Sequence, residues 1–225
     1  MLFQGQAGPQ TLGDGASANV RLGRAAEAVV QELHGRFYEQ CYRGNLYTAG
    51  AGVTALSANT VTLTASSTPI VGVWNPANSP VNLVVLQCGI RSLFNTWTTP
   101  TGPGVFLYAT SVGNTAISTG AAPLNLKTLT AAGSQAKAFN GGVALTGLTN
   151  NVVVQGVLDV DGIQGTGAYG TPSAPTAVQL TTLGGVHNFD GGLIVPPGGV
   201  LSIINQTSTT TSSAAARLIW EEVPL

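Results

Sequence analysis

The chain has 225 residues, of which 44% are hydrophobic and only 8% are charged, with a formal net charge of −1. The apolar content supports a real core, so disorder throughout is excluded, and no broad basic face exists to neutralise phosphates, so nucleic acid is not an expected partner. No run approaches the ~20 apolar residues of a membrane-spanning helix, and no basic-then-apolar leader opens the chain, so a soluble protein with no membrane partner and no secretion signal is expected.

Charge then divides the sequence. Up to Arg43 there are four basic residues (Arg21, Arg24, Arg36, Arg43) and four acidic ones (Asp14, Glu27, Glu32, Glu39), and after Glu39 no acid occurs until Asp159. Residues 1–36 read as an N-terminal arm, extended or partly helical. Its first 18 residues are rich in Gly, Ala, Gln and Ser without periodicity, which describes a segment that a partner must order. Over 19–33 a short helix would align Leu22, Ala26, Val29 and Leu33, while Gly23 and the Val29-Val30 pair suit an extended segment, and both readings stay open.

From Phe37 to Leu225 short β-branched and aromatic runs alternate with turn signals. The runs include Val61 to Thr64, Ile70 to Trp74, Val81 to Gln87, Val105 to Tyr108, Val152 to Leu158, Leu193 to Val195, Val200 to Ile204 and Arg217 to Trp220. Between them fall Asn75-Pro76, Asn78-Ser79-Pro80, Pro100 to Gly104, Asn140-Gly141-Gly142, Asp190-Gly191-Gly192 and Pro196 to Gly199. Many short strands with Gly and Pro punctuation predict an all-β domain over 37–225, an antiparallel β-sandwich of jelly-roll-like form. Val81 to Gln87 is mostly apolar, as a central strand covered on both faces would be.

Residues that carry chemistry are sparse. Two histidines, His34 and His187, and two cysteines, Cys41 and Cys88, do not furnish a zinc site or a disulfide framework, and free buried thiols are expected. Asp159-Val160-Asp161-Gly162 holds a fragment of a calcium loop but lacks its further ligands and closing Glu, so a solvated strand-end turn is the expectation, with Asp159 and Asp161 as the calcium candidates. His187 and Asp190 suggest a hydrolytic triad with a serine, yet no Gly-x-Ser-x-Gly elbow occurs. Glu221 and Glu222 are strand neighbours that point to opposite faces and cannot flank one glycosidic bond. Gly50 to Ala55 matches a dinucleotide pattern formally, but no carboxylate follows at the required distance, and it reads as a loop. No enzyme and no cofactor are expected. Trp74 and Trp220 sit inside apolar runs and are expected in the core, whereas Trp97 is the candidate for an exposed contact.

Four stretches together carry a resemblance. Phe37 to Tyr47, Pro69 to Pro76, Pro80 to Leu86 and Leu193 to Leu201 resemble head structural proteins of tailed bacteriophages, and more narrowly the decoration, or cement, proteins on their capsids. The likeness runs over much of residues 37–225 and includes no diagnostic site motif. It implies a β-sandwich or jelly roll, trimers of the chain at three-fold positions, and the major capsid protein as partner. It further implies synthesis in a host cytoplasm and a final location on the capsid surface. The arm would then dock on a neighbour by strand addition or in a groove. Arg21, Arg24, Arg36 and Arg43 would meet carboxylates of the shell, or alternatively pair with Glu27, Glu32 and Glu39 along one helix. A head fibre, a tail or baseplate protein, and a carbohydrate-binding module using Trp97 are the alternative readings.

Overall fold

The computed structural model describes residues 5–6, 20–21, 35–53, 62–94, 106–117, 120–149, 152–158, 161–168, 177–206 and 212–225. The chain forms two compact units, Met1–Glu39 and Gln40–Leu225. In the first, β1 (Gly5–Gln6) pairs in parallel with β2 (Val20–Arg21). Val20-Arg21 is therefore strand, which corrects the helix option at its opening residues; β-branched Val20 suits an extended backbone. Residues 22–33 of that stretch lie outside the described residues.

A short helix, α1 (Tyr38–Arg43), stands where the strand pattern was expected to begin. Its end explains it. Gly44 takes a φ of 81°, its N–H donates to Cys41 O at 3.0 Å, and Asn45 N–H reaches back to Gln40 O at 3.0 Å. This is the paired closure of a helix by a left-handed glycine. Glu39 in the first turn and Arg43 in the last suit the helix dipole.

Gln40–Leu225 is an all-β antiparallel sandwich of two six-stranded sheets. The first sheet runs β4 (Thr62–Leu63), β10 (Val152–Val157), β7 (Phe106–Ser111), β13 (Val200–Asn205), β5 (Val71–Trp74) and β9 (Lys137–Asn140). The second runs β11 (Asp161–Ala168), β12 (Ala177–Val195), β6 (Val81–Phe94), β14 (Ser212–Pro224), β3 (Leu46–Val53) and β8 (Leu124–Asn125). Val71, Val73, Phe106, Leu201 and Ile203 of the first sheet form one core with Leu83, Val85, Cys88, Leu218 and Trp220 of the second.

The two sheets differ on their outer faces. Ile117 and Leu145, with half-buried Leu148, cover the outside of the first sheet by packing on Trp74, Leu107, Phe139, Val200 and Ile204. Consequently every residue of β5 and β13 is buried. The second sheet alternates instead, with buried Ala214, Ala216, Leu218 and Trp220 inside and exposed Ala215 and Arg217 outside. The strand Val81 to Gln87 is central, as its composition predicts, but Val84 and Gln87 are only half-buried on the outer face. Its run of apolar residues has a local cause: the ladder pairs Ile219 with Gln87 and Trp220 with Val85, leaving Leu86 as an extra bulged residue.

Turn chemistry follows the sequence closely at one corner. Gly199 N–H donates to Pro196 O at 2.8 Å across Pro197 and Gly198, and Gly198 has φ 76°. Proline followed by a left-handed glycine is the type II pattern. Asp190 (φ 52°) and Gly191 (φ 82°) do turn the chain, but inside β12, where residues 189–192 form an irregularity between Asn188 and Leu193.

Candidate interaction surface

The outer face of the second sheet is the candidate interaction surface, with Gly50, Gly52, Arg91, Val186, Asn188, Ala215 and Arg217 exposed on it. Its register sets the outward side chains in rows across the strands. One row holds Gly52, Ala215 and Arg91, the next Gly50, Arg217, Gly89 and Val186, and the third Thr48, Ile219, Gln87 and Asn188. Beyond the third row lie Glu221, Val84 and Ile194.

Polar side chains tie three strands together on this face. Arg217 Nη2 donates to Gln87 Oε1 at 3.4 Å, and Gln87 Nε2 donates to Asn188 Oδ1 at 2.9 Å. Val186 and Ile194 remain 55% and 54% exposed on either side of that row. Burial pushes the Glu221 carboxyl above its ordinary range. The face therefore combines glycine and alanine on β3, β6 and β14 with exposed Val186 and Ile194 and a few charges, Arg91, Arg217 and Glu221, a mixture that suits packing against another protein surface.

Sequence reading did not single out this face. Gly50 and Gly52 were expected in a loop but lie in β3, because their alternation with Ala49, Ala51 and Val53 is a strand pattern with glycine on the outer face. In β14 the run of alanines before Arg217 and the adjacent Leu218-Ile219-Trp220 blur the alternation, so the sequence held little signal for Ala215 and Arg217.

Comparison of the chain with protein-family models, curated proteins and solved structures returned no match.

Of the residues singled out from sequence as contact or calcium candidates, Arg21, Arg36, Arg43 and Asp161 are described, each in a different segment of the chain. Arg36 is exposed with its guanidinium 5.3 Å from the centre of the Phe37 ring, and Arg43 is exposed at the end of α1. Arg21 contributes backbone to β2, while Arg24, Trp97 and Asp159 lie outside the described residues. Asp161 and Gly162 pair with Gly184 and Leu183 in an extended ladder, which corrects the turn expected there. An extended backbone does not curl carboxylates around a cation as a calcium loop does. Among the described residues no group of three or more His, Cys, Asp or Glu side chains could hold a metal ion.

Several other polar and aromatic groups pack within the fold. His187 and Phe189 pack edge-on with centroids 4.6 Å apart, and Phe189 meets Tyr108 at 5.1 Å. Glu222 is buried, accepting from Ser134 Oγ at 2.6 Å and from Gln135 N–H at 3.0 Å, whereas Glu221 falls on the opposite face. Tyr47 and Asn125 lie in the same corner. Burial pushes the Tyr47 phenol up, partly offset by its hydrogen bond with Asn125. Both cysteines are free thiols, Cys41 half-buried and Cys88 buried, and burial pushes the Cys88 thiol up to about 12. Such a thiol stays protonated and unreactive at neutral pH. A separate apolar depression of ≈ 280 Å³ beside β9 is lined by Gly120, Ala121, Ala138, Phe139, Asn140 and Val143, none of them titratable.

Proposed function

We propose that this chain is a non-enzymatic structural protein of a virus particle, a decoration protein that binds the outer capsid surface and stabilises contacts between major capsid subunits. The observation that carries the reading is the strand order. Setting aside the outermost strand at each sheet edge leaves β3, β5, β6, β7, β10, β12, β13 and β14. Counted one to eight along the chain, they run 6-3-8-1 in one sheet and 5-4-7-2 in the other. First pairs with eighth, second with seventh, third with sixth and fourth with fifth, all antiparallel. That nesting is what rolling up one long hairpin produces, and it supports the finer reading of the sandwich as a jelly roll, a form widely used by viral shell proteins.

Fold alone does not assign function, so the surface matters. A chain that is only 8% charged exposes a mostly neutral surface, which is suited to adhesion. The resemblance of 37–225 to phage head proteins supplies the particular setting. Quantitative mass spectrometry of purified tailed-phage particles carrying this chain tests the proposal. The protein is expected at a fixed ratio to the major capsid protein, at comparable abundance. Abundance matching the far scarcer tail proteins favours a tail or baseplate part instead, and absence from the particle removes the proposal.

A further inference from the structure

We propose that the open face of the second sheet takes the same face of a second copy of this chain, stacked about a two-fold axis that crosses the strands at the Ile219–Gln87–Asn188 row. This goes beyond the virion reading and stands or falls without it.

Charge on the face is sorted by sign along the strands. Arg91 and Arg217 lie on one side of the row, and Glu221 on the other. Exposed Asp190 follows Asn188 on that same acidic side. Arg217 and Glu221 are each two positions from Ile219 on β14, about 7 Å along a strand. A two-fold axis through the row reverses the strand direction of the second copy. Arg217 of each copy then lies over Glu221 of the other, and both charge pairs form at once. An arginine in that position also relieves the burial cost that raises the Glu221 carboxyl.

Apolar and steric features match under the same operation. Val186 pairs with Gly89, and Ile194 with Val84, on opposite sides of the row. Reversal therefore sets Val186 against Ile194 of the second copy, and Gly89 beneath its Val84. Among the described residues nothing requires glycine at position 89: a Cβ there meets no atom within 4 Å, and its φ is not left-handed. At Gly72, by contrast, a Cβ would come 3.0 Å from Ser202 Oγ and 3.3 Å from the Phe139 ring. Glycine within a strand costs roughly 0.5–1 kcal/mol relative to alanine. Where no internal contact explains it, close approach of another surface does. Like sheets pack face to face with strand directions within about 30°, which the reversed stacking satisfies. The trimer expected from the resemblance would not place Arg217 and Glu221 reciprocally, since reciprocal contacts belong to two-fold interfaces.

Sedimentation velocity of the full chain over a range of concentrations is the test. The expected species has twice the 22.7 kDa chain mass, and its association weakens as salt is raised. Arg217→Glu and Glu221→Arg each place like charges together and are expected to weaken association by about tenfold or more, while the double reversal restores it. Gly89→Lys, which adds bulk and charge but no aromatic ring, is expected to yield monomer with an unchanged near-ultraviolet circular dichroism spectrum. A monomer or trimer for the unaltered chain overturns the proposal, as does a double reversal that fails to recover association.

Discussion

Trp220→Ala is expected to lower the free energy of unfolding by about 3–5 kcal/mol, the cost of emptying a fully buried large aromatic site. Trp220 is 0% exposed, sits on β14 between β6 and β3, and stacks on Tyr47 with centroids 6.4 Å apart. It belongs to the core shared by both sheets, so the cavity would open where the two layers meet. One feature moderates the loss. The indole Nε1 is buried with no hydrogen-bond partner among the described residues, and removing an unsatisfied donor returns part of its desolvation cost. Trp220→Phe keeps much of the ring and removes that donor, so it is expected to cost distinctly less than alanine. Urea unfolding of the three proteins checks this. A loss for alanine under about 1 kcal/mol would contradict a common core.

Asn75→Ala is expected to cost about 2–4 kcal/mol, from two lost hydrogen bonds and carbonyls left short of a donor in a buried corner. Asn75 is fully buried, and its Nδ2 donates to Val81 O at 2.8 Å and Val195 O at 3.1 Å. Its backbone meanwhile pairs with Gly198 N–H and Gly199 O, contacts that alanine retains. The side chain thereby staples the β5–β6 crossover to the β12–β13 crossover, where the chain passes between sheets. Asn75→Asp should be worse than alanine at neutral pH, because a carboxylate is acceptor-only and would face two carbonyl oxygens. Unfolding midpoints in urea, with unchanged slopes, give the measurement. Equal and small losses for both variants would show that the corner is held by its backbone alone.

Much of the sandwich was legible because its local chemistry is consistent. The Ile70 to Trp74, Val200 to Ile204 and Arg217 to Trp220 runs all lie in strands or at their edges, and Trp74 and Trp220 are buried as their apolar neighbours predict. Pro197 and Gly198 make the turn that their φ preferences dictate. The helix Tyr38–Arg43 was missed although Arg43-Gly44 is a recognisable stop signal, since aromatic residues there weighed toward strand. The length of β12, Ala177–Val195, was hidden by Gly184-Gly185 and Asp190-Gly191-Gly192, which act as breakers locally but are carried through by pairing with β6. The open face was the hardest to foresee. Gly50, Gly89 and Arg217 come from three distant segments, and only the register of β3, β14 and β6 sets them in one row.

Attachment to a capsid is decided by adding the purified protein to phage particles stripped of it and separating bound from free by sedimentation. Saturable rebinding at a fixed ratio to the major capsid protein is expected, with the particles regaining resistance to heat. Particles that sediment without the protein at every concentration would contradict it.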